Sequence, residues 1–359
     1  MDAERAESFA KRVHEILDGG ALALLLSIGH RTGLFDVMAS MPPATSTAIA
    51  REAGLDERYV REWLRALVAG GIVTLREERS LYQLPPAHAA ALSRSAGAGN
   101  LAIAAQWIPL LGGVEDELVD SFASGGGVPA SGYRRFRKVM AEDSGQRIVS
   151  RIASELLPLV PGLEDALRKG IAVLDAGCGT GGLLIELAQR HRRSSFTGVD
   201  LSVEAIEEAR RRAAELRLVN LRFESCDATD PATPARFDLA TAFGVIHRVP
   251  EPTHALSMIA ATLRPGGILL MQEEASAGSP LRDAERPLAT FSYALSCLHS
   301  VPTTRTAGSV AEGAMWGGRE ARRALAEAGF HHIEEHALAG DPRSAYFVAR
   351  ASGRRLNLR

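Results

Sequence analysis

Cysteine is scarce in this chain. Cys178, Cys226 and Cys297 are odd in number and scattered, which excludes a disulfide framework and points to a reducing compartment, the cytoplasm. No Cys, His or acidic residues recur at the spacing of a metal site, so no metal is expected. Long apolar runs are also missing: the longest, Ala21 to Ile28, is far too short to span a bilayer, and no membrane role is expected. Residues 1–20 carry Asp2, Glu4, Glu7 and Glu15 and no apolar segment, so a secretory leader is not expected there. Nor is there an excess of charge of either sign. With 41 Lys+Arg against 43 Asp+Glu, the net charge of -2 gives no general attraction to nucleic acid or acidic membranes. What remains is a soluble globular composition, 46% hydrophobic and 23% charged, over 359 residues, enough for two domains with a core each.

The most informative stretch is residues 171–182. An apolar run ends in Asp175 and gives way to Gly177, Gly179, Gly181 and Gly182, after which Leu183 to Leu187 start a helical pattern. This reads as a buried strand entering a glycine turn, with the free N–H groups of the next helix facing a ligand. Gly177, Gly179 and Gly182 also fit the Gly-x-Gly-x-x-Gly dinucleotide pattern, with Asp200 following. On these residues alone an NAD site, another nucleotide site and a ligand-free tight turn all stay open.

Downstream residues carry a resemblance to class I S-adenosylmethionine-dependent methyltransferases. Asp175, Gly177, Gly179 and Gly181 match the first motif of that family. Asp200, in Gly-Val-Asp-Leu-Ser, matches the acid that holds the ribose hydroxyls, and Asp227, in Glu-Ser-Cys-Asp-Ala, the acid that contacts the adenine amino group. Segments 236–243 and 263–271 follow in the family's order, and the resemblance spans residues 166–350. It implies S-adenosylmethionine as cofactor, held by those residues together with Leu201, Cys226, Ala228 and Phe243. Strands are expected at 171–175, 195–200, 220–225, 237–243 and 266–273, alternating with helices near 181–191, 202–216 and 253–263. A helix near 318–328 and strands at 331–338 and 344–350 then close the pattern. The fold class is thus α/β, a Rossmann-like doubly wound sheet with a C-terminal antiparallel hairpin.

The N-terminal part is mainly helical. Residues 6–38 show helical periodicity broken at Gly19-Gly20 and at Gly33, with an apolar stripe of Leu22, Leu24, Leu25 and Ile28. A short helix ends at Gly54, and Asp56 caps a helix through Ala69 that buries Val60, Trp63, Leu64, Leu67 and Val68. Ile72 to Leu75 and Ser80 to Leu84 read as a hairpin. Helix, turn, helix, wing is the order of a winged helix, which raises a transcriptional regulator as an alternative. Against it, residues 44–85 hold six Arg and six acids, and Glu57 and Glu62 lie on the would-be recognition helix. No nucleic acid partner is expected. Many small-molecule methyltransferases, including plant O-methyltransferases and bacterial natural-product enzymes, carry such a domain and dimerise through it. The resemblance implies a homodimer acting on a small-molecule substrate, with a winged-helix dimerisation domain at 1–100, a helical linker and lid at 101–165, and the methyltransferase domain at 166–359.

Candidates for the substrate site come from two segments. Residues 87–120 return to helix, with Leu101, Ile103, Trp107, Leu110 and Leu111 supplying apolar bulk and Trp107 a core residue; Ser121 to Gly132 is a glycine-rich loop. Tyr133, Phe136, Val139 and Met140 then recur at near-helical spacing, and Ile148 to Leu157 is an amphipathic helix stopped by Pro158. Tyr133, Phe136 and Met140 suit core packing and pocket lining equally. The insertion 275–317 supplies Phe291, Tyr293, Cys297, His299, Met315 and Trp316 as pocket lining; nothing indicates that Cys297 and His299 meet as nucleophile and base. For catalysis, His247 matches the position of the base in plant O-methyltransferases. Arg248 stands where those enzymes usually have Asp, and a neighbouring cation is expected to lower the imidazole pKa. The expected reaction is methyl transfer to a hydroxyl. Nitrogen or carbon acceptors, NAD chemistry and non-methyl use of the cofactor are the alternatives.

Overall fold

The computed structural model describes residues 3–226, 236–306 and 313–352. The chain divides into two compact units, Met1–Gly113 and Val114–Arg359. In the first, helix α1 spans Ala3–Thr32, α2 Leu34–Ser40, α3 Ser46–Ala53 and α4 Glu57–Ala69, followed by the wing strands β1 (Thr74–Arg76) and β2 (Leu81–Gln83). Local signals set these bounds. Gly33, in the left-handed region at φ 75°, turns α1 into α2, while Thr45 caps α3 by accepting from Ala48 N and Asp56 caps α4 by accepting from Arg58 N and Tyr59 N. Phe35, Ile49, Leu64 and Leu67 fill the core between the helices. The Trp63 indole in that core donates to Leu25 O at 2.9 Å.

Two expectations fail in this unit. The helix does not break at Gly19-Gly20, because α1 runs unbroken through both. Glycine costs only about 1 kcal/mol in a helix interior, which a long helix absorbs. Leu101, expected to add apolar bulk, is 63% exposed. The apolar stripe divides as well: Leu22 and Leu25 pack on the core, whereas Leu24 and Ile28 are exposed.

The second unit is built on a seven-stranded sheet. Its strands are β3 (Ala172–Ala176), β4 (Ser195–Asp200), β5 (Leu221–Ser225), β6 (Phe237–Phe243), β7 (Leu263–Glu274), β8 (Phe330–Leu338) and β9 (Asp341–Ala351). The order is β5-β4-β3-β6-β7-β9-β8. β3 to β7 are parallel, and β9 enters antiparallel between β7 and β8. Because both faces are covered, the central strands read as near-continuous apolar runs. Leu184, Leu187 and Ile206 pack against one face, and Leu256, Ile259 and Leu325 against the other. The chain reverses direction of winding between β3 and β6, the crevice where such sheets hold ligands.

Outside the sheet, two segments differ from expectation. Ile148 to Leu157 is not one amphipathic α-helix but a tight turn (Val149–Arg151), a π-helical turn (Ile152–Leu156) and another tight turn (Leu157–Leu159). Pro158 lies inside the last turn, where its missing N–H costs nothing. The expected loop at 121–132 begins later, since a helix continues over Glu115–Ser124.

Candidate active site

The glycine turn occupies the carboxyl end of β3. Gly177, Gly179 and Gly181 all take left-handed backbone, with φ of 74°, 53° and 74°. A Cβ on Gly177 would meet Val245 Cγ2 at 2.6 Å and one on Gly181 would meet Phe223 Cζ at 2.3 Å, so both are glycine for packing as well as conformation. Gly179 instead faces open space. Gly177 N and Cys178 N donate to Val199 O at 2.9 and 3.0 Å, tying the turn to β4. At the end of β4, Asp200 Oδ2 accepts from Gly179 N and Oδ1 from Ser202 N, each at 2.9 Å. Ser202, not Asp200, caps the next helix, Val203–Glu215. Asp200 therefore joins two loops at the rim of the crevice and keeps free lone pairs for further donors.

Asp175 lies beneath, buried, its Oδ1 accepting from Thr241 Oγ1 at 2.6 Å. Burial pushes its carboxyl up to about 7, against the pull of the Thr241 hydrogen bond and with help from the Asp200 charge. Burial likewise pushes the Cys178 thiol far up, so that sulfur is inert. Cys226 and Phe243 are half-buried at the ends of β5 and β6, and Leu201 is exposed beside Asp200. Asp227 and Ala228 lie outside the described residues. An open face at Gly179, a carboxylate with unused lone pairs and an exposed apolar neighbour fit a ribose and an adenine ring, the parts of S-adenosylmethionine these residues would hold.

His247 follows β6 in the turn Ile246–Arg248 and is buried. Its Nδ1 lies 2.5 Å from Oε2 of Glu273, which is almost fully buried at the end of β7, and Glu273 Oε1 accepts from Ile246 N at 3.2 Å. With the carboxylate as acceptor, Nδ1 carries the proton and Nε2 is left with a lone pair. The charge in contact with the imidazole is therefore Glu273 and not the cation at Arg248.

Three residues distant in sequence meet beside this pair. The insertion forms helix Ala289–Leu295, a π-helical turn Ser296–Ser300 and helix Val301–Thr306. His299, from the π turn, stacks on Phe136 (4.4 Å between centroids, 13° between planes) and meets the edge of Tyr133 at 4.8 Å. Tyr133 donates to Leu298 O at 2.6 Å, and burial pushes its phenol up to about 12. Burial pushes the His299 imidazole down to about 3, helped by the nearby Arg248 cation, so His299 is neutral.

The remaining candidates separate. Tyr293, Cys297, Val301 and Arg305, at four-residue intervals, line a cleft of about 660 Å³ together with Met315 and Phe122. Cys297 is exposed there. Arg305 donates through Nε and Nη2 to Gly125 O at 2.9 and 2.6 Å, closing one side of that cleft. Phe291 lies under the Arg343 guanidinium, 4.8 Å from centroid to Cζ. Met140 is half-buried on helix Phe136–Arg147, and Trp316 packs on the core below the sheet.

Glu273 was missed in the sequence, as was a buried ionic group behind it. Arg343 Nη2 donates to Glu274 Oε1 at 3.2 Å, Ser292 Oγ donates to Glu274 Oε2 at 2.7 Å, and Arg147 pairs with Asp341 at 3.3 Å and Asp143 at 3.2 Å. Burial would raise the Glu274 carboxyl, but Arg343 and Arg147 hold it below its ordinary range. The available signal was Gln272-Glu273-Glu274, a polar run at the carboxyl end of an otherwise apolar strand. Among the described residues no His, Cys, Asp and Glu cluster could hold a metal.

This geometry defines a class I methyltransferase fold preceded by a winged helix-turn-helix domain. Residues 20–94 match the family described as the Rv2258c-like winged HTH domain, and residues 167–329 match a methyltransferase domain family. The chain thus joins a winged helix-turn-helix domain to a methyltransferase domain. Among individual relatives, it is 32% identical over 160 residues to the 27-O-demethylrifamycin SV methyltransferase of Amycolatopsis mediterranei, covering 43% of this chain and 55% of that one. The chain spans about half the length of the curated relatives it matches. Two solved structures share the fold over nearly the whole chain. One is a putative O-methyltransferase from Nostoc punctiforme (TM-score 0.70, 18% identity, 95% of this chain and 98% of that one). The other is human N-acetylserotonin methyltransferase in complex with S-adenosylmethionine (TM-score 0.64, 18% identity, 96% and 97%). No single helix among the described residues is long and apolar enough to cross a membrane, although α1 and α2, bent by 72°, reach that length and apolarity together.

Proposed function

We propose that the protein transfers a methyl group from S-adenosylmethionine to a hydroxyl of a small-molecule acceptor and works as a homodimer. The observation that carries the reading is the buried His247–Glu273 pair beside the glycine turn and Asp200. The backbone at 177–181, Asp200, Leu201 and Phe243 would hold the cofactor, with Asp227 toward the adenine. When bound, the cofactor supplies an electrophilic methyl group on a sulfonium. His247 Nε2 accepts the hydroxyl proton as the acceptor oxygen attacks, and Glu273 stabilises the imidazolium through Nδ1–H. Orientation of the acceptor supplies the rest of the acceleration. Tyr133, Phe136 and His299 form an apolar wall that keeps water from this proton transfer.

Dimerisation draws support from α1. Phe9, Val13, Ile16, Leu17, Leu24 and Ile28 lie along one face of that helix and all are exposed, more apolar surface than a lone helix keeps in water. A thermal-shift titration with S-adenosylmethionine, S-adenosylhomocysteine and NAD tests the cofactor. Stabilisation by the first two and not by NAD is expected; the reverse would overturn the reading.

A further inference from the structure

Arg248 ends the turn that carries His247, and its Nε is fully covered without a hydrogen-bond partner. Among the described residues its guanidinium makes no hydrogen bond and no ion pair. The two carboxylates whose charges it feels, Asp200 and Glu273, hold other donors and form no ion pair with it. Asp200 holds Gly179 N and Ser202 N, and Glu273 holds Ile246 N and His247. Burial lowers the Arg248 pKa from its ordinary value, with those two carboxylates opposing, yet guanidinium stays charged throughout the usable pH range. A half-buried cation with its Nε covered is left without a counter-ion unless something pairs with it. Beside it the His299 imidazole is neutral, and His247 keeps its Nδ1 on Glu273. Arg248, His299 and His247 thus converge on one side of the crevice and bring no free anion of their own.

We propose that Arg248 is a carboxylate-binding residue of this cleft, its planar fork receiving the carboxylate of a bound ligand next to the methyl-acceptor position. The proposal rests on the methyltransferase reading and deepens it. A guanidinium accepts a carboxylate through two parallel N–H···O bonds, which a neutral or singly charged point donor cannot copy. Two ligands of that reaction can bring a carboxylate: the amino-acid end of the cofactor, or an acceptor that is a hydroxy acid.

Calorimetry on the full chain, comparing wild type with Arg248→Gln and Arg248→Lys, separates them. The probes are S-adenosylhomocysteine, 5′-methylthioadenosine, which lacks the amino-acid end, and the three hydroxybenzoates with their methyl esters, titrated in the presence of S-adenosylhomocysteine. If Arg248 holds the cofactor end, Arg248→Gln weakens S-adenosylhomocysteine about 10- to 100-fold, the scale of a lost charged hydrogen bond, and leaves methylthioadenosine unchanged. If it holds the acceptor, both nucleosides bind as before, while a hydroxybenzoate loses its advantage over its ester by a similar factor. Arg248→Lys should recover part of either loss. Equal affinities of wild type and Arg248→Gln for every probe would overturn the proposal, and a lowered melting temperature alongside them would assign Arg248 a structural counter-ion role. Failure of the wild type to bind S-adenosylhomocysteine at all would instead overturn the methyltransferase reading.

Discussion

Glu273→Gln changes one atom of the pair proposed as general base and should disable it through the tautomer of His247. In the wild type, Glu273 Oε1 accepts from Ile246 N and Oε2 faces His247 Nδ1. A glutamine at this position must turn its carbonyl oxygen to Ile246 N, because that backbone donor is buried and cannot be left unpaired. Its NH2 group then faces Nδ1. Two donors cannot share that contact, so the imidazole moves its proton to Nε2 and loses the lone pair that would accept a proton from the acceptor. General base help of about 10²- to 10⁴-fold disappears, equivalent to roughly 3 to 5 kcal/mol of barrier. KM for the cofactor should hardly move, since neither oxygen of Glu273 belongs to the cofactor-holding residues. Initial rates with a hydroxyl acceptor found by screening measure kcat, and ¹⁵N chemical shifts of the His247 ring report the tautomer before any acceptor is known. The reasoning fails if the variant keeps wild-type kcat with a hydroxyl acceptor, or if the ring shifts show the Nδ1–H tautomer in both proteins. An amine acceptor, already nucleophilic, should be little affected.

Three further outcomes are expected. Asp200→Ala should weaken S-adenosylmethionine about 10- to 100-fold in calorimetry and also lower the melting temperature, since the same carboxylate ties Gly179 to Ser202; unchanged affinity would remove Asp200 from the cofactor site. Leu17→Glu, on the exposed face of α1, should convert a dimer into a monomer in light scattering without loss of secondary structure, and a wild type that is monomeric at micromolar concentration would refute the dimer. Asp175→Asn should stabilise the protein increasingly as pH rises. The folded-state pKa of about 7 lies above the ordinary 3.8, so the carboxyl opposes folding progressively between pH 4 and 7, and by a few kcal/mol above that. Melting curves at pH 5 and pH 8 that differ equally between variant and wild type would refute the shift.

Much of both units was legible because their signals are local. β4 and β6 begin and end where the apolar runs do, and Asp56, Gly54 and Gly33 stop or start helices through their own backbone chemistry. Asp175, Asp200 and His247 were readable because each ends a strand or follows one. The rest depends on contacts no local pattern records. Glu273 pairs with a residue 26 positions earlier, and Phe136 and His299 stack across 163 positions. Ile148 to Leu157 has helical periodicity that tight and wide turns satisfy as well as an α-helix does. Gly19-Gly20 looked like a break because the cost of glycine was weighed without the length of the helix around it.

The π-helical turn Ser296–Ser300 gives the insertion one residue of slack in its length. A π turn holds one residue more than an α-helix along the same path, so it keeps the two ends of the segment in phase despite that extra residue. His299 reaches Phe136 and Tyr133, while Arg305 reaches Gly125 on a different side. Removing one residue from the turn would relax it to α-helix with the flanking ends still in phase, whereas removing a second would rotate one end against the other by about 100°. Either the aromatic wall or the Gly125 clasp would then be lost, whatever side chains remained.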